Sequence, residues 1–246
     1  MPPEPVQVIA VAGLPEVRRG DDLGVLIAAQ AELRDQDVVV VGQKIVSKAE
    51  GRVRWLREVE PGESARRYAQ RLQADPRLVQ VILDETVRVV RDERVLIVET
   101  RQGFVCANAG VDHSNVPGED AVTLLPEDSD ASAAALRQRL WELTGCRVGV
   151  IVADTFGRAW RMGITNVALG VAGLPALLDY RGERDDFGQE LTATVVGVAD
   201  EVACAAELVM GKTDRVPVAL VRGYRPGSPS GTGRDLIRPP ALDLFR

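Results

Sequence analysis

Two regimes of hydrophobic patterning alternate along this chain. Short β-branched runs close on a Gly or an Asp, and between them lie stretches with helical periodicity. VQVIAV (Val6 to Val11), DVVVVG (Asp37 to Gly42), VGVIVAD (Val148 to Asp154) and VPVALV (Val216 to Val221) read as buried strands. After the first of them, Asp21 and Asp22 can cap a helix that carries Leu23, Leu26, Ile27 and Leu33. From Gly62 to Thr86 the pattern is helical, with Pro76 dividing it in two. VRVVRDERVLIVETRQGFVCANAG then offers three strands, Val87 to Val90, Val95 to Thr100 and Phe104 to Ala107, joined as an antiparallel meander by RDER and RQG.

A helix fits Ala131 to Thr144, with Leu136, Leu140 and Leu143 on one face and Gly145 closing it; another fits Asp200 to Met210, closed by Gly211. Strands and helices mix without regular βαβ alternation, which predicts an α+β fold. The organised region is read as 1–222. The Gly/Pro/Ser-rich segment 223–246 is read as a tail whose apolar end, LDLF, docks back.

Composition narrows the functional classes. With 246 residues, 46% hydrophobic and 27% charged, the chain can bury a core without disulfides or metal. A net charge of −6 argues against a general nucleic-acid or anionic-membrane surface. Cys106, Cys146 and Cys204 show no CxxC spacing and read as small buried hydrophobes of a reducing compartment. The first residues lack a signal-peptide pattern, and no window reaches ~18 apolar residues. A cytoplasmic protein is expected.

The charge usage is lopsided. Of 30 Lys and Arg residues only Lys44, Lys48 and Lys212 are lysine, and two of these stand in QKIVSKAEG. An ammonium is a compact point charge, a guanidinium a larger planar fork, so the bias points to a tight phosphate contact. On a strand or tight turn, Lys44 would face away from Lys48.

Familiar motifs fail. No GxGxxG follows a strand and no GxSxG occurs, while the GKT of MGKTD has Ala206 where a Walker A loop needs Gly. What remains are polar clusters beyond apolar strands. ANAGVDHSN offers Asp112, His113, Ser114 and Asn115; VIVADTFGRAWRMGITN offers Asp154 and Thr155, followed by Arg158, Arg161 and Asn166. Two carboxylates from separate strand ends suit magnesium or manganese beside phosphate oxygens. The plainer readings are a solvated loop acid for Asp154, a surface residue for His113, a solvated turn for RGERDD and a simple connection for LPEV.

Taken in order, GLPEVRRGDDL, QKIVSKAEGR, NAGVDHSN, VIVADTFGRAWRMG, VADEVACAAELVMGK and VALVRG resemble the coenzyme F-420-0:L-glutamate ligase family over nearly the whole chain. The chain is particularly similar to the ligase half of two-part actinobacterial proteins, down to LIRPPALDLF. The nitroreductase-like half does not follow Arg246, so a product with one or two glutamates is expected.

The resemblance implies two intertwined α+β domains per chain, a homodimer, and a nucleotide groove at the dimer interface. It implies a GTP-dependent amide ligase that uses Mg2+ or Mn2+, with K+ as an accessory ion, and adds L-glutamate to F-420-0 through an acyl phosphate. Its metal ligands fall on Asp112, Asp154 and Thr155. Its GTP contacts fall on Leu14, Pro15, Glu16, Val17, Gln43, Lys48 and Asn115, and on Leu208, Val209, Met210, Gly211, Lys212, Thr213, Asp214 and Arg215. Lys48 and Asp154 are the expected catalytic residues. Gln43 stands where some members have a hydroxyl residue, and His113 where Gly is common. The alternative is a metal-dependent GTP hydrolase or nucleotide-binding regulatory domain that forms no amide.

Overall fold

The computed structural model describes residues 5–114, 116, 118, 120–225, 227 and 230–243. Twelve strands and six α-helices are defined among them. In chain order these are β1 (Gln7–Val11), α1 (Leu23–Ala28), β2 (Val38–Gly42), α2 (Gln43–Ala49), β3 (Val53–Trp55), α3 (Glu63–Leu72), α4 (Pro76–Asp84), β4 (Thr86–Arg91), β5 (Ile97–Thr100) and β6 (Val105–Ala107). There follow β7 (Ala121–Thr123), α5 (Ser129–Thr144), β8 (Gly149–Arg158), β9 (Arg161–Ala172), β10 (Leu178–Asp179), β11 (Val195–Val196), α6 (Val198–Met210) and β12 (Val218–Arg222).

The main sheet has the order β1-β12-β2-β8-β9. Only β2 and β8 pair in parallel; every other neighbour is antiparallel. The α+β expectation therefore meets a mixed fold with several small sheets. The strands of the sheet centre are buried on both faces, which explains their unbroken apolar runs: Val38 to Val41 are 0% exposed.

Alternation along these strands sorts the core. Val39, Val41, Val150 and Val152 face α1, α2 and α5, whereas Val38, Val40, Ile151 and Ala153 face α6. A third core joins α3 and α4 to Leu96, Val98, Val122 and Leu124, beside the antiparallel β4-β5-β6 meander.

Helix ends follow the capping residues. Asp22, Asp75 and Asp128 accept hydrogen bonds from the backbone N–H groups of Val25, Arg77 and Ala131, and Gly145 ends α5 in the left-handed conformation. Two helical expectations need correction. Helix α1 stops at Ala28, so Leu33 reaches the core from the following loop. On α5, Leu136 and Leu140 are buried but Leu143 is 40% exposed, because the apolar face turns away within the last turn.

In the C-terminal segment, the 3-10 turn Gly233–Leu236 lies against β9. A Cβ at Gly233 would sit 2.2 Å from the Leu169 carbonyl oxygen, so only glycine allows this approach. Asp130 ties the contact by accepting from the backbone N–H of both Val171 and Gly233. Docking thus occurs through 233–236; Leu244 and Phe245 of LDLF lie outside the described residues.

Candidate active site

The strand β2 runs straight into α2 with no intervening loop. Gly42 is the last residue of the strand and the cap of the helix, and its N–H donates to the Pro217 carbonyl. QKIVSKA is therefore helical, correcting the strand-or-turn expectation. Lys44 and Lys48, four residues apart, project from the same side of one helix. The helix also buries Gln43, whose Oε1 accepts from the Ser47 hydroxyl at 2.8 Å.

Asp112 arrives from the third core. Ahead of it Asn108, Ala109 and Gly110 all take positive φ (52°, 55° and 68°), an unusual run that reverses the chain. Asn and Gly tolerate this region; Ala109 carries strain of about 1–2 kcal/mol. A Cβ on Gly110 would also meet the Leu125 side chain at 2.7 Å. Such strain persists where surrounding packing enforces it, commonly at functional sites.

Beyond this turn Asp112 pairs with Thr123 through two backbone hydrogen bonds. Its carboxylate accepts from Lys44 Nζ at 2.8 Å, from the Ser114 N–H at 2.6 Å and from the Ser114 hydroxyl at 2.9 Å. Burial alone would raise the Asp112 carboxyl, but the Lys44 and Ser114 hydrogen bonds outweigh it and hold the group below its ordinary value.

Asp154 does not end its strand, as the sequence suggests; β8 continues to Arg158, paired throughout with β9. The even-numbered face of β8 is the α2 face, so Asp154 looks toward Lys44 and Asp112. Burial, reinforced by the Asp112 charge, pushes its carboxyl up to about 6 even though the backbone N–H of Thr155, Lys44 and Lys212 all favour ionisation. A desolvated carboxylate beside a second one is a place where a cation lowers the energy.

Thr155, the next residue, faces the other way. Its hydroxyl donates to Asn166 Oδ1 at 2.9 Å and accepts from Lys212 Nζ at 2.6 Å. Lys212, at the end of α6, also pairs with Glu207 at 2.5 Å. Lys44 and Lys212 thus approach β8 from opposite faces and both act on Asp154. Lys48 is 7% exposed and donates to Glu16 of the loop after β1.

Of the remaining expected contacts, Val17 and Met210 have their side chains in the core, Val209 packs on it, and Leu14 is partly buried. Pro15, Glu16, Thr213, Asp214 and Arg215 are exposed, and Gly211 and Arg215 take positive φ. Leu208 is 84% exposed. His113 is exposed, and Asn115 lies outside the described residues.

Sequence reasoning set Lys44 apart as facing away, named Ser114 and Asn166 in the polar clusters without giving them a role, and missed Glu207. The four-residue spacing of Lys44 and Lys48 was the available signal for the first.

The donor set suits a divalent ion that arrives with its substrate. Among the described residues no group of three or more His, Cys, Asp or Glu side chains is assembled into a cage. Magnesium needs none, since it binds through one or two carboxylates plus phosphate oxygens. Asp112 and Asp154 provide those carboxylates, and the ammonium groups of Lys44 and Lys212 act on them.

Comparison with known proteins places the geometry in context. A model of the F420-0:Gamma-glutamyl ligase family matches residues 13–223. The coenzyme F420:L-glutamate ligase of Methanopyrus kandleri is 48% identical over 237 residues, covering 94% of each chain. Those of Methanothermobacter thermautotrophicus and Archaeoglobus fulgidus are 45% and 43% identical, over 98% of this chain and 99% and 96% of their own. This protein belongs to the F420-0:gamma-glutamyl ligase family.

Proposed function

We propose that the protein joins L-glutamate to F-420-0 with consumption of GTP, and then adds a γ-linked second glutamate. A carboxylate oxygen of the lactyl group attacks the γ-phosphorus of GTP, GDP leaves, and an acyl phosphate forms. The glutamate amine attacks the acyl carbon, phosphate departs, and the amine loses a proton to give the amide. The observation that carries this reading is the juxtaposition of the Asp112 and Asp154 carboxylates with Lys44 and Lys212, with Lys48 one turn along α2 from Lys44. Phosphoryl transfer needs positioning and charge neutralisation more than covalent help, and this is such an inventory.

In this reading Asp112 and Asp154 would hold one Mg2+ or Mn2+ ion on the α2 face, and Thr155 would hold a second on the Lys212 face. The ions neutralise charge on the phosphates. Lys48 and Lys212 reach phosphate oxygens, and the segments 14–17 and 208–215, with Gln43 and Asn115, enclose the nucleotide. An accessory K+ belongs to the same reading without assigned ligands.

The protein acts as a cytoplasmic homodimer. The tip of the β8–β9 hairpin supports the dimer: Trp160, Met162 and Ile164 are 80%, 94% and 60% exposed, an apolar projection that suits a second copy. Among the described residues no helix is long and apolar enough to cross a membrane.

The test is co-dependence. GDP release should require F-420-0, glutamate and a divalent ion together, with mono- and diglutamyl products in the mass spectrum. GDP release at the same rate without glutamate and F-420-0 would favour a GTP hydrolase instead.

A further inference from the structure

Each of the three lysines is already held by a carboxylate: Lys44 by Asp112, Lys48 by Glu16 and Lys212 by Glu207. The first pair differs from the other two, because its acid, Asp112, is the carboxylate that faces Asp154. We propose that Lys44 is a built-in stand-in for the divalent ion, occupying Asp112 until the metal displaces its ammonium toward the phosphates. This inference rests on the metal reading of Asp112 and Asp154 given above.

The hydrogen bonds make the competition specific. Lys44 Nζ and the Ser114 hydroxyl both bond to Asp112 Oδ2, while the Ser114 N–H takes Oδ1. Ser114 thus fixes the carboxylate from within its own loop, and Lys44 reaches across from α2 to occupy an oxygen that a metal would use. Lys44 also bonds to the Ser114 hydroxyl at 2.6 Å, so its ammonium is seated at a defined point.

The pair is open enough to exchange: the side chains of Lys44 and Asp112 are 23% and 41% exposed. Without a cation here, Asp112 and Asp154 would face each other as two carboxylates in a partly desolvated site. Lys44 makes that arrangement tolerable in the metal-free protein. A lysine suits the role because its single ammonium sits on a flexible four-carbon stem and can swing, whereas a guanidinium would clamp the carboxylate through two bonds. Displaced from Asp112, the ammonium still belongs to α2, one turn from Lys48, and the nearest new anion is the phosphate that accompanies the metal.

The lysine-poor composition makes the test direct. Protein labelled with 15N at lysine Nζ should give three side-chain signals, assigned with Lys44→Arg, Lys48→Arg and Lys212→Arg. Mg2+, alone or with GDP, should move the Lys44 signal away from its ion-paired position. The Lys48 signal should stay in place until nucleotide is present.

As a second readout, Mn2+ affinity measured without nucleotide should tighten about tenfold in Lys44→Met, the equivalent of one charge-assisted hydrogen bond the metal no longer displaces. Lys212→Met removes a neighbouring charge without touching Asp112 and should tighten binding by no more than about threefold, as expected of a screened, longer-range interaction. Divalent binding that leaves the Lys44 signal unmoved, or that is no tighter in Lys44→Met, overturns the stand-in role alone. Failure of the wild-type protein to bind a divalent ion even with GTP overturns the metal reading as well.

Discussion

Asp154→Asn should abolish ligation, by about a thousandfold or more, and at the same time stabilise the metal-free protein at alkaline pH. The first effect follows from metal charge: an amide is nearly the size of the carboxylate but removes one of the two acids, and loss of one preorganised electrostatic element typically costs ~10²–10³ in rate before any loss of metal occupancy. The second follows from linkage. The folded-state carboxyl titrates at about 6, above its ordinary value of 3.8, because the site desolvates it. A raised carboxyl works against folding once ionised.

Below pH 4 both folded and unfolded chains hold the proton, and the substitution should be neutral. Between pH 4 and 6 the folded protein keeps a proton that the unfolded chain has released, so wild-type stability falls as pH rises. Above pH 6 the whole cost is present, an upper estimate of about 3 kcal/mol for a shift of this size. Urea unfolding in EDTA, at pH 4 and pH 8, measures it. Equal stability of the two proteins at both pH values, or normal turnover of the mutant, would remove Asp154 from the site.

Lys48→Arg should lower kcat by about 30- to 1000-fold, the loss of roughly 2–4 kcal/mol of transition-state stabilisation. Charge is retained, so the effect isolates shape. Lys48 is 7% exposed on α2 and extends toward Glu16, leaving little room for a planar fork. If the contact strengthens as charge shifts during transfer, kcat falls more than GTP binding weakens. Steady-state kinetics at varied GTP separate the two terms, and circular dichroism checks that overpacking has not unfolded the helix. A mutant with unaltered kcat would make the lysine bias a matter of composition.

Much of the sheet was legible because both faces of its central strands are buried, and a run such as VVVV at Val38 to Val41 has no soluble alternative. Helix α5 was legible through its leucine spacing and Gly145 stop, whereas its Asp128 cap, which starts it at Ser129, was not read. What misled was punctuation. Gly42 looks like a strand terminator leading to a turn, yet it hinges β2 directly into α2, which reverses the inferred relation of Lys44 to Lys48. Asp154 looks like the polar end of a strand, yet Thr155 pairs with Asn166 across the hairpin and the strand runs on.

The site's identity came from motif resemblance; its arrangement did not. Lys44 and Asp112 are 68 residues apart, and the left-handed run at Asn108 to Gly110 that delivers Asp112 leaves no periodic trace. The alternation of β8 assigns Asp154 and Thr155 to opposite faces, a geometric consequence available only once the strand is known to continue.

Phosphorylation of the acceptor carboxylate beside Asp112 and Asp154 leaves an isotopic record in the released phosphate. F-420-0 carrying 18O in its lactyl carboxylate is turned over with GTP, glutamate and Mg2+ or Mn2+, and the released inorganic phosphate is analysed by mass spectrometry. One 18O is expected in the phosphate released for each first amide formed, while the phosphate of a γ-linked second addition takes its oxygen from unlabelled glutamate and carries none. Monoglutamyl product accompanied only by phosphate free of 18O, its new oxygen drawn from water, would contradict phosphorylation of the acceptor.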